Sequence, residues 1–164
     1  MMRTILTLSA ALGAAAMTLA QATVHVEPAH LDGPRQLQEQ TASAVIRNYL
    51  ESWQSMRVAL DRNSAPELDR DFTGNAKEKL GETIQEQKAL GIRTRYQDSS
   101  HDIQIVFYSP EGLSIELTDQ VEYDVQVFDR NKLQITQHVS AYYVVVLTPS
   151  EVRWRVRVFQ AVPE

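Results

Sequence analysis

A change of period along the chain fixes its architecture. From Leu113 to Val127 the residues Leu113, Ile115, Leu117, Asp119, Val121, Tyr123, Val125 and Val127 alternate with Ser114, Glu116, Thr118, Gln120, Glu122, Asp124 and Gln126. A side-chain period of two is that of a strand with one buried face. Leu133, Ile135, Gln137, Val139, Ala141, Tyr143, Val145 and Leu147 form a second such row, and Val152, Trp154, Val156, Val158, Gln160 and Val162 a third. A shorter strand, about 102–108, precedes them. The connections 109–112, 129–132 and 148–151 are turns by composition, which makes the strands an antiparallel meander. At about 3.3 Å per residue the middle strands would be roughly 50 Å long if straight. A domain of this size has no room for that, so the sheet must curl.

Before the strands the period is helical. Val45, Tyr49, Trp53, Met56 and Leu60 recur every three or four residues, widened by Ile46 and Leu50, with Arg47, Glu51, Ser52 and Arg57 opposite. This predicts a long amphipathic helix over 37–60. Ser64-Ala65-Pro66-Glu67 has the form of a capping box and predicts a short helix to Phe72. A third helix is expected from about Asn75 to Leu90, ended by Gly91 as a left-handed cap with Ile92 as its apolar contact. Asp69, Arg70 and Asp71 read as a solvated face.

The first 22 residues read as an export segment. Arg3 starts it, Ile5–Ala20 is an apolar run, and Thr18-Leu19-Ala20 and Ala20-Gln21-Ala22 both suit a signal peptidase. The run falls short of the roughly 20 residues a spanning helix needs. No stable membrane span is therefore expected after cleavage, and the location read from the sequence is periplasmic or secreted. Cleavage removes Arg3 and no acid, so the formal charge deepens from −5 to −6, fifteen basic against 21 acidic residues. That balance excludes a nucleic-acid sleeve, which needs a basic stripe. The chain has no cysteine, so thiol chemistry, thiolate metal sites and disulfides are all excluded. Residues 23–35, with Pro28, Gly33 and Pro34, read as a flexible linker. His25 and His30 lie in it without a third ligand nearby, so no metal and no cofactor are expected.

Three helices followed by a one-sided curled sheet make an α+β domain over 36–164, its N-terminal helices packed in the concave face of a strongly curved four-stranded antiparallel meander. With Ala44-Val45-Ile46-Arg47-Asn48-Tyr49-Leu50-Glu51-Ser52-Trp53 in the long helix and Val152-Arg153-Trp154-Arg155-Val156 in the last strand, Gln36–Val162 resembles the nuclear-transport-factor-2-like superfamily, the cystatin-like cone. That superfamily includes enzymes, binding modules and dimerisation domains, so the resemblance implies a fold and leaves the function open.

Asp119 is the sharpest feature of the inner face, an acid inside an apolar row. It could be a general acid or base of raised pKa, as in ketosteroid-isomerase-like members of the superfamily, or it could mark a bend whose backbone amides it accepts. An acid with no His or second acid beside it is an incomplete catalytic set, and His101 falls at a strand start. The turns align Leu147 with Val152, Val145 with Trp154, Tyr143 with Val156, Val139 with Gln160, Val127 with Leu133, Asp119 with Ala141 and Tyr123 with Gln137. The candidate inner pocket is then Tyr49, Trp53, Asp119, Tyr123, Gln137, Tyr143 and Gln160, open to a small apolar ligand.

The outer face of the last two strands is the candidate protein interface. Tyr142, Val144, Val146 and Phe159 point outward there, rimmed by Arg153, Arg155 and Arg157. The reading from sequence is an exported, non-catalytic binding or assembly domain that meets itself or another envelope protein, with no catalytic residue. The alternative is a small-molecule pocket protein or a ketosteroid-isomerase- or polyketide-cyclase-like enzyme using Asp119. No His-Glu-x-x-His, Gly-x-Ser-x-Gly or glycine-rich phosphate loop occurs in the sequence.

Overall fold

The computed structural model describes residues 21–31 and 33–163. All of the export segment except Gln21 and Ala22 lies outside the described residues. The chain runs β1 (Thr23–Val26), α1 (Glu39–Arg62), a 3-10 turn (Ala65–Leu68), α2 (Gly74–Leu90), β2 (Ile92–Tyr108), β3 (Ile115–Asp129), β4 (Lys132–Pro149) and β5 (Trp154–Val162). The sheet order is β1-β2-β3-β4-β5. β1 pairs parallel with β2 and the other neighbours pair antiparallel. Two helices lie against this curved sheet, an α+β fold with five strands where four are expected.

The extra strand comes from the segment read as a linker. Thr23–Val26 lies along Ser100–Ile103, and the following backbone keeps contact through the Glu27 amide to the Ile103 carbonyl (2.8 Å) and the His30 amide to the Ile105 carbonyl (3.0 Å). Pro28 ends the regular ladder, because it has no N–H to donate. β2 is also longer than expected. Its first half has no apolar alternation, since Arg93 and Arg95 reach Asp61 and stack over the ring of Phe128. The expected short helix is a 3-10 turn: Ser64 makes no side-chain cap bond, and the Glu67 carboxylate turns to Arg62 (3.5 Å) instead. Gly91 does take the left-handed cap, at φ 68°.

Irregularities in the ladder interrupt the long strands, between Asp98 and Ser100, Ile105 and Phe107, Val127 and Phe128, and Val146 and Leu147. An extra residue bends its strand and increases the local twist, which is how strands this long curl round two helices. These bulges also shift the registers expected from the turns. Arg130 and Asn131, both at positive φ, make a two-residue hairpin closed by Asp129 and Lys132. Gln134 is then the extra residue, so Val127 faces Ile135, Asp119 faces Tyr143, and Tyr123 faces Val139. Leu133 sits opposite Phe128 instead of joining the inner row.

At the next turn the Ser150 amide and hydroxyl both bond the Arg153 carbonyl. The turn therefore absorbs Val152, which is exposed, and β5 begins at Trp154. A bulge at Arg157 then places Val156 opposite Leu147 but Val158 opposite Val146, Phe159 opposite Val145 and Ala161 opposite Tyr143. Past this bulge the inner and outer positions exchange, and Phe159 turns inward.

The core lies between α1 and the sheet. Val45, Tyr49, Trp53, Met56 and Leu60 are buried as the helical period predicts. Trp53 sits at the centre, its ring 5.1 Å from His101, 5.8 Å from Tyr123, 5.7 Å from Tyr143 and 5.6 Å from Phe159. Truncating such a side chain leaves a cavity its neighbours fill poorly. Trp53→Ala is expected to lower unfolding stability by about 3–5 kcal/mol in urea titration; a loss below about 1 kcal/mol would contradict this packing.

Candidate functional site

Asp119, on the middle strand of the sheet, is fully buried. Its Oδ2 accepts the Tyr49 hydroxyl (2.7 Å) and faces His101 Nδ1 (2.7 Å), while Oδ1 accepts the Asp102 amide (3.1 Å). The other ring nitrogen of His101, Nε2, faces Asp98 Oδ2 (2.9 Å), and Asp98 Oδ1 accepts from Arg57 (2.8 Å). Trp53 Nε1 donates to the Tyr49 oxygen at 2.9 Å. The sequence reading missed the partner of Asp119, because it placed His101 at the start of a strand. The bulge at Ser99 is the reason: without an extra residue there, Asp98 and His101 would face opposite sides of β2, and with it both face inward. The alternation His101, Ile103, Ile105 was the available signal, since both isoleucines are buried.

Both imidazole nitrogens of His101 face carboxylate oxygens, which requires a proton on each. Burial alone would lower the pKa of His101, but the bonds and charges of Asp119 and Asp98 outweigh it and push it up to about 9. Burial alone would raise Asp98; His101 and Arg57 hold it below the usual carboxylate range instead. Burial, reinforced by the adjacent Asp119 carboxylate, raises the Tyr49 phenol well above its ordinary value. The result is a chain of alternating charge, Asp119, His101, Asp98 and Arg57, running from the sheet centre to the half-exposed guanidinium.

Five of the seven expected pocket residues meet. Tyr49, Trp53 and Asp119 form the cluster just described, and Tyr123 and Tyr143 join their hydroxyls at 3.0 Å against the Trp53 ring. Burial raises the Tyr143 phenol, and its bond with Tyr123 adds to this. Gln137 lies opposite Val125 and is exposed, beyond the reach of the helices. Gln160 lies opposite Val144, turned to the outer face by the Arg157 bulge, and is also exposed. Two clefts, of about 290 and 330 Å³, open elsewhere: one beside Asn63, Gly91, Phe128 and Asn131, the other beside Gln54, Val58, Pro66 and Arg70. Neither is lined by Asp119.

The outer face differs from its expected composition. Tyr142, Val144 and Val146 stay there, and Val158 and Val162 join them as their register partners. Phe159 is lost to the core, stacked on Tyr143 at 4.6 Å. Arg153 binds Asp71 (2.6 Å) and Glu51 (3.0 Å), and Arg155 caps the carbonyls of Asp69 (2.6 Å) and Phe72 (2.9 Å). Arg157 alone of the three is exposed, beside Ser114 (3.3 Å). Asp71, read as part of a solvated face, is fully buried and also accepts from Ser55 and Arg70. His25 on β1, Glu27 just after it and Asp102 on β2 bring one ligand atom each within 4.8 Å of the others. Sequence spacing could not show this third ligand, because β1 was not expected as a strand.

Neither the protein-family descriptions nor the curated proteins contain a match to this sequence. Solved structures do match. The intermembrane space region of the chloroplast protein ARC6 superposes with a TM-score of 0.65 at 12% identity, over 79% of this chain and 100% of that one. A scytalone dehydratase-like protein from Novosphingobium aromaticivorans superposes with a TM-score of 0.51 at 11% identity, over 77% and 89%. The chain has the nuclear-transport-factor-2-like cone fold. At these identities the likeness concerns the cone alone. Within the cone, the position that Asp119 takes on the inner face is occupied by a closed hydrogen-bonded cluster.

The charge chain sets a pH dependence. The folded pKa of His101 exceeds its unfolded value of about 6.5. Its stabilisation is therefore complete below about pH 6.5 and is lost as pH rises through about 9, with a slope of at most about 1.4 kcal/mol per unit. Asp98 works the other way, its contribution disappearing as pH falls through its lowered pKa. The exposed His138, raised by Asp124 and Glu122, contributes in the same direction as His101. In a His138→Gln background, urea unfolding is expected to show stability falling from pH 6.5 to 9.5. A flat profile would contradict the buried imidazolium.

Proposed function

We propose that this cone domain is a non-catalytic binding or assembly module that acts through the outer face of its sheet. The single observation that carries the reading is the closure of the Asp119 cluster. Both oxygens of Asp119 are taken by groups of the chain itself, and the ring of Trp53, beside its partner His101, packs against Tyr123, Tyr143 and Phe159. General acid–base catalysis requires the group to reach a substrate proton directly or through one water. An acid sealed in this way serves the fold.

The binding surface is Tyr142, Val144, Val146, Val158 and Val162, bordered on β3 by Glu116, Thr118 and Gln120. An apolar centre with a polar border suits a protein partner. The partner class is another copy of the chain or another envelope protein, in a periplasmic or secreted setting. The export segment supports that setting, and so does the intermembrane-space origin of the ARC6 domain. Among the described residues no helix is long and apolar enough to cross a membrane.

The alternative, a small-molecule pocket or isomerase/cyclase-like enzyme using Asp119, has the observation of the Asp119–His101 pair in its favour. A thermal-shift screen with small apolar and aromatic compounds separates the two readings. The module reading expects no saturable stabilisation; a compound that stabilises wild type but not Asp119→Asn would overturn it in favour of the pocket. Sedimentation velocity of the full chain over a concentration series is expected to show self-association that Val144→Glu weakens at least tenfold. Unchanged association would remove the outer face from the proposal.

A further inference from the structure

The two halves of the β4 edge are treated differently by the chain. From Tyr142 to Pro149 that edge is paired with β5. The far edge of β5 is engaged at Val156, whose amide donates to the Asp71 carbonyl (2.8 Å) and whose carbonyl accepts from the Thr73 amide (2.9 Å). β5 stops at Val162, and the next residue, Pro163, has no N–H to donate. Below Tyr142 the β4 edge therefore has no neighbour among the described residues. The bulge at Gln134 ends the regular stretch, which leaves Ile135–Ala141 as a regular open edge. An open edge is a template for another strand unless it is guarded by proline, inward charge or a bulge. Within Ile135–Ala141 none of these guards is present.

We propose that this edge pairs antiparallel with the same edge of a second copy, about a two-fold axis perpendicular to the sheet at Gln137. Three observations favour a second copy as the occupant. First, opposed residues in an antiparallel pair share a face, and this register sets Ile135 against Val139 and Gln137 against its own copy on the inner face, so that apolar meets apolar and amide meets amide. Second, it sets Thr136 against His138 on the outer face. The neighbouring register, centred on His138, would oppose two imidazoles that Glu122 and Asp124 hold toward the cation. Third, the stretch from Lys132 to Tyr142 contains no acid. In a chain with a net charge of −5, this is where two copies meet without opposing carboxylates. The contact is isologous and closes on itself, giving a dimer with one continuous sheet. It involves a different surface from the outer-face patch, and the two can be tested apart.

The absence of cysteine makes the register directly readable. In the full chain, Gln137→Cys places each new thiol opposite its own copy, about 4.5–5.5 Å away at Cβ. Ile135→Cys places the thiols four residues apart along the strand, about 13 Å. Both sites are exposed, so neither change disturbs the core. Under mild oxidation Gln137→Cys is expected to form a disulfide dimer at least tenfold faster than Ile135→Cys, and a mixture of Ile135→Cys with Val139→Cys is expected to form the heterodimer. Adding Ile135→Lys to Gln137→Cys should slow the cross-link at least tenfold, while adding Val144→Glu should leave it unchanged. Equal rates at positions 135 and 137, or a cross-link that survives Ile135→Lys, would overturn the edge pairing. So would a monomer at every concentration by sedimentation velocity. Loss of the cross-link with Val144→Glu would assign self-association to the outer face instead.

Discussion

A cation in the interior of the cone holds the rest of the structure in place. His101 sits on β2, its two carboxylates come from β3 and from the other side of the Ser99 bulge, and Tyr49 of α1 bonds the same Asp119 oxygen. Burying one charge without partners costs several kcal/mol even after relaxation. Here the charges alternate from Asp119 through His101 and Asp98 to Arg57, and each one has a neighbour of opposite sign. Removing a member would leave the next one buried and unpaired. The helix, the two central strands and the bulge are therefore bound to one another through a single side chain.

The same arrangement supports the proposed use of the cone. An acid and an imidazole side by side are the raw material of acid–base chemistry. In this chain both oxygens of the acid and both nitrogens of the imidazole have internal partners, and Trp53 packs beside them against Tyr123, Tyr143 and Phe159. A second buried acid, Asp71, ties the segment after α1 to the turn that leads into β5 through Arg153. That contact uses an arginine which would otherwise lie at the rim of the outer face. Without cysteine, the interior is tied together by two ion networks and one aromatic plug, and the proposed contacts with partners involve the sheet surface and its edge.

The layers of the fold were legible in the sequence because they depend on periodicity alone: four-residue spacing from Val45 to Leu60 and strict alternation from Ile115 onward. Asp119 stood out for the same reason, and Tyr49, Trp53, Tyr123 and Tyr143 followed from their faces. What stayed hidden depends on single extra residues. The bulge at Ser99 brings His101 to Asp119, the one at Gln134 shifts β4 by a residue, and the one at Arg157 turns Phe159 inward and Gln160 outward. A bulge changes which face every later residue takes, and it leaves no compositional mark. β1 was hidden for another reason: Thr23–Val26 is exposed on both sides, so no alternation announces a strand held by backbone bonds to β2.

The buried imidazolium can be observed directly by nitrogen NMR of the His101 ring across a pH titration. Both ring nitrogens should show the protonated signal from pH 5 to 8, with a single titration near pH 9. A ring that loses a proton near the ordinary value of about 6.5, or that carries only one proton at neutral pH, would contradict the sealed charge chain and reopen Asp119 and His101 to chemistry.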